Sequence, residues 1–219
     1  MTQFSNAQDW AKLDYYKKEN LEIGIPLNKE DRIVFMGNSI TRGWTKHSPG
    51  FFPKHKNYIN RGIGGQTTPQ LLLRFRQDVI DLKPKVVVLM AGTNDIAQNT
   101  GVMTLEETFG NIKSMIELAR VYNIKVVLCS VLPAFDFPWR KGLEPAEKIY
   151  QLNGLLKKYA DENKLVFLDY YSHMVNEQKG LKQEYTYDGV HPNEAGYHIM
   201  EPLVEDAIKS VLKEKNIRD

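Results

Sequence analysis

Four apolar runs, rich in valine, isoleucine and leucine, punctuate this chain at Arg32–Met36, Lys85–Met90, Lys125–Val131 and Leu165–Asp169. Their middles are nearly continuous in hydrophobic character rather than alternating, which suits strands buried on both faces. A shorter run at Tyr58–Asn60 reads as a further strand, second in chain order. Segments of helical length separate them, so the pattern predicts an α/β fold: a five-stranded parallel sheet with helices on both sides.

The intervening segments carry their own signals. Leu72, Phe75, Val79 and Leu82 recur at helical spacing after Thr68-Pro69, a cap followed by proline in the first turn. Thr104 and Glu107 stand in capping-box register at the head of a helix to Tyr122, and a further helix spans Glu144 to Asn163. Asn193–Lys213 is periodic too, but Pro202 lies inside it and predicts a kink or break. An additional N-terminal helix, Ala7–Asn20 with Trp10, Leu13 and Tyr16 on one side, is expected to pack outside the sheet, so that residues 1–30 form a helical extension of a single 219-residue domain. A chain of this length buries roughly 70% of its unfolded surface and needs neither disulfides nor metals to be stable.

Charge narrows the function. Lys plus Arg number 29 against 27 Asp plus Glu, with no strong clustering of one sign, so neither nucleic acid nor another polyanion is the expected partner. The single cysteine, Cys129, sits inside an apolar run and reads as a small buried hydrophobe; it cannot pair within the chain and leaves the redox compartment open. No signal-peptide core and no run of about 18 apolar residues is present, so the chain as given reads as soluble and cytoplasmic. A secreted or periplasmic location stays open if a leader has been removed. Homodimerisation also stays open.

The chemistry lies in four short segments, each placed after a strand: Gly37-Asn38-Ser39-Ile40, Gly64-Gly65-Gln66-Thr67, Gly92-Thr93-Asn94-Asp95 and Asp188-Gly189-Val190-His191. In an open parallel sheet the loops at the carboxyl ends of the strands share one rim, where ligands bind. Each segment alone is weak. Ser39 could be a cap, Asn94 a turn residue, and Gly64-Gly65 a phosphate loop, although no P-loop lysine follows. Together they supply a nucleophile in Ser39, a base in His191 oriented by Asp188, and oxyanion donors in the Ser39 and Gly65 N–H groups and the Asn94 amide. A metal site of Asp188, His191 and His198 has the residue types but no further ligand at suggestive spacing, and no metal or other cofactor is expected. His47 and His55 fall in a polar loop and read as solvated; His173 and His198 read as surface or packing residues.

Ser39, Gly65, Asn94 and His191 in this order resemble the signature of the SGNH hydrolases, the GDSL lipase/acylhydrolase superfamily. The resemblance runs from Arg32 to the last helix. It implies a flavodoxin-like three-layer α/β/α sandwich with strand order 2-1-3-4-5, no metal, and hydrolysis of small esters or thioesters through an acyl-serine. One departure is Asn38, where the family's first block usually has aspartate; asparagine keeps the size and an acceptor oxygen but not the charge. Gly-Asn-Ser-Ile-Thr is similar to a branch of acetylhydrolases resembling platelet-activating-factor acetylhydrolase and of carbohydrate O-acetylesterases.

The expected substrate is therefore a small ester with an acetyl or short acyl group, an acetylated sugar among the candidates. Phe135, Trp139 and Arg140, in the loop after the fourth strand, are expected as substrate wall; the aromatics could stack on a sugar or pin the loop to the core. Arg61 or Arg140 could read an acidic group. A lysophospholipase or thioesterase of the same fold is the alternative, and from another class a ligand-binding module that has lost turnover.

Overall fold

The computed structural model describes residues 9–27 and 30–213. Strands β1 (Ile33–Gly37), β2 (Tyr58–Gly62), β3 (Val86–Met90), β4 (Lys125–Cys129) and β5 (Val166–Leu168) form one parallel sheet in the order β2-β1-β3-β4-β5. Ile33 pairs with Tyr58 on one side and Val86 on the other, so three of the predicted loops end level with one another. The helices are α1 (Lys17–Ile23), α2 (Ser39–His47), α3 (Phe51–Lys54), α4 (Thr68–Asp78), α5 (Thr93–Ile96), α6 (Leu105–Val121), α7 (Pro145–Glu162), α8 (Tyr170–Met174) and α9 (Glu194–Lys213).

Successive strand residues point to opposite faces, and here both faces are apolar. Val34, Met36, Val87, Leu89, Val126 and Leu128 join a core with α4, α6 and α7. Ile33, Phe35, Val86, Val88, Met90 and Cys129 join a second core with α2, α3, α8 and α9, in which Trp44 is 1% exposed. Two cores on one sheet are the expected three-layer sandwich. Cys129 lies in the second, and burial pushes its thiol far up, away from the reactive range.

Local sequence explains most helix boundaries. Thr104 accepts from the Glu107 N–H while the Glu107 carboxylate accepts from the Thr104 N–H, at 3.1 and 2.8 Å, the anticipated capping box. At α4 the cap is Thr67, one residue before the expected Thr68; the Thr67 N–H donates to the Gln70 side chain at 3.0 Å.

Two expectations are corrected. Pro202 does not break the last helix: α9 runs through it from Glu194 to Lys213, and both Pro202 and His198, the residue whose carbonyl loses its partner, are exposed. The N-terminal helix is also different. Within the described part of 7–20, residues 9–16 form turns and the helix begins only at Lys17; Ala7 and Gln8 lie outside the described residues. The Asp9 carboxylate takes the Leu13 and Asp14 N–H groups, and Lys12 adopts a left-handed conformation (φ 55°) that stops a helix there. This segment straps across α4 and the end of β2. The carbonyls of Trp10, Ala11 and Leu13 accept from Gln70, Gln66 and Gln77, and the Tyr16 hydroxyl donates to the Gly62 carbonyl at 2.6 Å.

Candidate active site

Ser39 is the first residue of α2. Asn38 caps the helix by accepting from the Ile40 N–H at 3.0 Å, which leaves Ser39 at the positive end of the helix dipole. That cap needs an acceptor oxygen and not a charge, so asparagine meets the local requirement at this position. The turn is tight: a methyl group on Gly62, at the end of β2, would collide with the Arg42 backbone nitrogen.

Underneath lies a buried polar lattice. Arg74, fully buried, donates to the Gly37 and Arg61 carbonyls at 3.0 and 2.7 Å, to the Gln66 side chain, and to Asp78 at 2.8 Å. It ties the ends of β1 and β2 to α4.

His191 arrives from the loop before α9, whose head is held by Asn193 accepting from the Gly196 N–H. The Asp188 carboxylate makes this loop rigid: Oδ1 accepts from the Val190 and His191 N–H groups at 2.9 and 2.7 Å, and Oδ2 meets His191 Nδ1 at 2.7 Å. Nε2 of the same ring is 2.9 Å from Ser39 Oγ. Burial would raise the Asp188 pKa, but the His191 N–H, the His191 ring and the Val190 N–H outweigh it and hold the carboxyl below its usual range. An ionised carboxylate therefore fixes Nδ1 as the protonated nitrogen, leaving Nε2 to accept the Ser39 proton.

The other two segments face each other. Gly65 has φ +79°, and no atom lies within 4 Å of where its Cβ would be, so glycine is needed there for conformation rather than space. A methyl on its neighbour Gly64 would touch Ser39 Cβ at 3.9 Å and Arg42 Nη1 at 3.6 Å, which puts this loop against the nucleophile. Asn94, 3% exposed, donates from Nδ2 to the Gln66 carbonyl at 2.9 Å and accepts at Oδ1 from Asn99 Nδ2 at 3.0 Å. One N–H of the Asn94 amide is left for another acceptor.

The rim residues separate. Trp139 lies against the His191 ring (centroids 5.7 Å apart) and Tyr187 stacks on it at 5.8 Å and 11°. Phe135 lines an open cleft of about 380 Å³ with Pro138, Lys141, Asn176 and Asp188, beside the carboxylate rather than the serine. Arg140 spends Nη1 on the Ala97 and Gln98 carbonyls, bracing the loop after β3. Arg61 is 2% exposed and bound to Asn20 and to the Asn60 carbonyl, so burial removes it as a reader of substrate. His47 is not in a loop; it ends α2 and stacks on Tyr187 at 5.3 Å. His55 meets Glu205 at 3.0 Å and stacks on Tyr58. His198 is exposed on α9. Sequence reasoning did not single out Tyr187, Asn99 and Arg42, which the structure places against His191, Asn94 and Gly64. Tyr187 carried a signal in its adjacency to Asp188; the other two carried none.

The sequence profile of the GDSL-like Lipase/Acylhydrolase family matches residues 35–199. The crystal structure of a GDSL-like lipase from Bacteroides thetaiotaomicron VPI-5482 superposes with a TM-score of 0.89 at 52% identity, covering 91% of this chain and 98% of that one. Human platelet-activating factor acetylhydrolase IB subunit alpha2 is 29% identical over 185 residues, 81% of this chain and 76% of its own. Lipoprotein YqeF of Bacillus subtilis is 33% identical over 126 residues, and this chain spans about half its length.

Proposed function

The chain belongs to the GDSL-like lipase/acylhydrolase family, carboxylic ester hydrolases, and from that premise we propose that it is a serine esterase for acetyl or other short-acyl esters of a ring-shaped alcohol, an acetylated sugar being the leading candidate. The observation that carries the catalytic assignment is the chain of hydrogen bonds from Ser39 Oγ through His191 to Asp188, 2.9 and 2.7 Å, closed between residues 152 positions apart.

In this reading His191 takes the Ser39 proton as Oγ attacks the ester carbonyl. The oxyanion forms among the Ser39 N–H, the Gly65 N–H and the free N–H of Asn94. His191 then returns the proton to the departing alkoxide, leaving an acyl-serine that water hydrolyses by the same steps.

Because the alcohol receives its proton from Nε2, it departs beside the two aromatic rings that flank His191. Trp139 and Tyr187 are 45% and 59% exposed, faces on which a sugar ring can stack. The likeness to an acetylhydrolase supports the small acyl group. Arg42, exposed, over the Tyr15 ring at 5.8 Å and beside Gly64, is the cation an acidic substituent would meet near the nucleophile.

The test is hydrolysis of p-nitrophenyl esters from acetate to octanoate by the wild type and Ser39→Ala. Rates that fall with chain length and vanish in Ser39→Ala are expected. A preference for octanoate would favour a lysophospholipase or thioesterase, and ligand binding without Ser39-dependent turnover would favour a binding module.

A further inference from the structure

We propose that Asn99, an exposed residue outside the four motifs, is a positioning residue that holds the two loop-borne oxyanion donors in register; the proposal rests on the esterase reading above. The Asn99 Nδ2 group donates to Asn94 Oδ1 at 3.0 Å and to the Gly65 carbonyl at 3.3 Å, and so touches both loops at once. Its backbone N–H donates to the Asn94 carbonyl at 3.0 Å, which fixes the base from which the side chain reaches.

The direction of every amide in this group is determined. The Gln66 and Gly65 carbonyls accept only, so Asn94 must turn Nδ2 to the first and Asn99 must turn Nδ2 to the second. Asn94 Oδ1 then faces Asn99, and its remaining N–H is free for the oxyanion. A flipped Asn94 would present a carbonyl oxygen to a developing negative charge, which repels it.

The Gly65 side of the clamp follows from glycine's freedom. An added Cβ would meet no neighbouring atom at Gly65, and its carbonyl is tied to the next loop by the Asn99 amide. Successive carbonyls, Gly65 and Gln66, are each gripped by a side chain of the loop after β3. Releasing the Gly65 carbonyl frees the backbone on both sides of it, including the N–H aimed at the oxyanion.

The experiment compares Asn99→Ala, Asn99→Asp and Asn99→His on p-nitrophenyl acetate, with inhibition by a small alkylboronic acid as a mimic of the tetrahedral adduct and thermal midpoints as a control. Loss of a whole oxyanion donor costs about 10²–10³ in kcat, so misaligning donors that remain is expected to cost roughly tenfold. Asn99→Ala should lose about tenfold in kcat and in boronate affinity, with KM and thermal midpoint nearly unchanged. Asn99→Asp, an acceptor facing two acceptors, should lose more, and Asn99→His, which keeps an N–H, should recover part of the loss. Unchanged kcat in Asn99→Ala and Asn99→Asp would overturn the proposal while leaving the esterase intact. Ester turnover that survives Ser39→Ala in the same assay would overturn the esterase reading and the proposal with it.

Discussion

The Asn38 side chain gives a sharp test at the scale of one residue. Its oxygen caps α2 directly before the nucleophile, so Asn38→Ala should cost about 1 kcal/mol in denaturant unfolding and lower turnover by loosening that turn. Asn38→Asp keeps the acceptor and adds a charge the helix dipole favours, so stability should hold or rise, with kcat within a few-fold of wild type. Asp188 sets the acid behaviour. Its folded pKa is depressed, so its stabilising contribution is full above the unfolded aspartate value of about 3.9 and disappears only as pH falls through the lower folded value. The carboxylate therefore stays charged at every pH above that lowered value. Asp188→Asn, which removes the charge that orients the imidazole, should depress kcat/KM across the neutral range and not only at its acid end. Ser39, Gly65, Asn94, Asp188 and His191 could be picked out of the sequence because each sits in a short motif after a strand. Asn99 and Arg42 could not, because what sets them apart is contacts through space with Gly65 and Gly64.

Among the elements, α4 is where stability and site geometry meet. Arg74 and Asp78 form an ion pair with both side chains fully buried, and Arg74→Met would strand the Asp78 carboxylate, at a cost of about 3–5 kcal/mol in unfolding free energy. At the other end of α4, Asp95 Oδ1 accepts from the Thr68 N–H and hydroxyl while Oδ2 is buried without a partner. Burial raises the Asp95 pKa despite those two Thr68 hydrogen bonds. The sign is the opposite of Asp188: its favourable contribution exists at low pH and is lost as pH rises through the folded value. Asp95→Asn should therefore gain thermal stability relative to wild type as pH rises above the unfolded aspartate value of about 3.9, and a gap that narrows with pH would contradict this. Element types were legible where apolar periodicity was strong, as in α6 and α7. They were not legible at the N-terminus, where the Asp9 carboxylate and the turn at Lys12 override the spacing of Trp10, Leu13 and Tyr16.

Across the whole molecule, the order β2-β1-β3-β4-β5 brings the loops after β1, β2 and β3 and the segment before α9 to one edge. The continuous apolar strands announced the two helical layers, because only a sheet covered on both faces can bury them, whereas the strand order was implied by the resemblance to the SGNH hydrolases. The strap at 9–23 was less visible, since its grip on Arg61, Gln66 and Gly62 runs through backbone carbonyls and single side chains that leave no periodic trace. Tyr16→Phe should test it by removing the bond to the Gly62 carbonyl, with a loss of about 1 kcal/mol in unfolding free energy. The central claim is that Ser39 carries the acyl group between the two halves of the reaction. Intact-protein and peptide mass spectrometry of rapidly acid-quenched mixtures with p-nitrophenyl acetate tests it most directly. The account predicts one added acetyl group, located on Ser39 and absent from Ser39→Ala. An acetyl group on another residue, or undiminished turnover in Ser39→Ala, would contradict it.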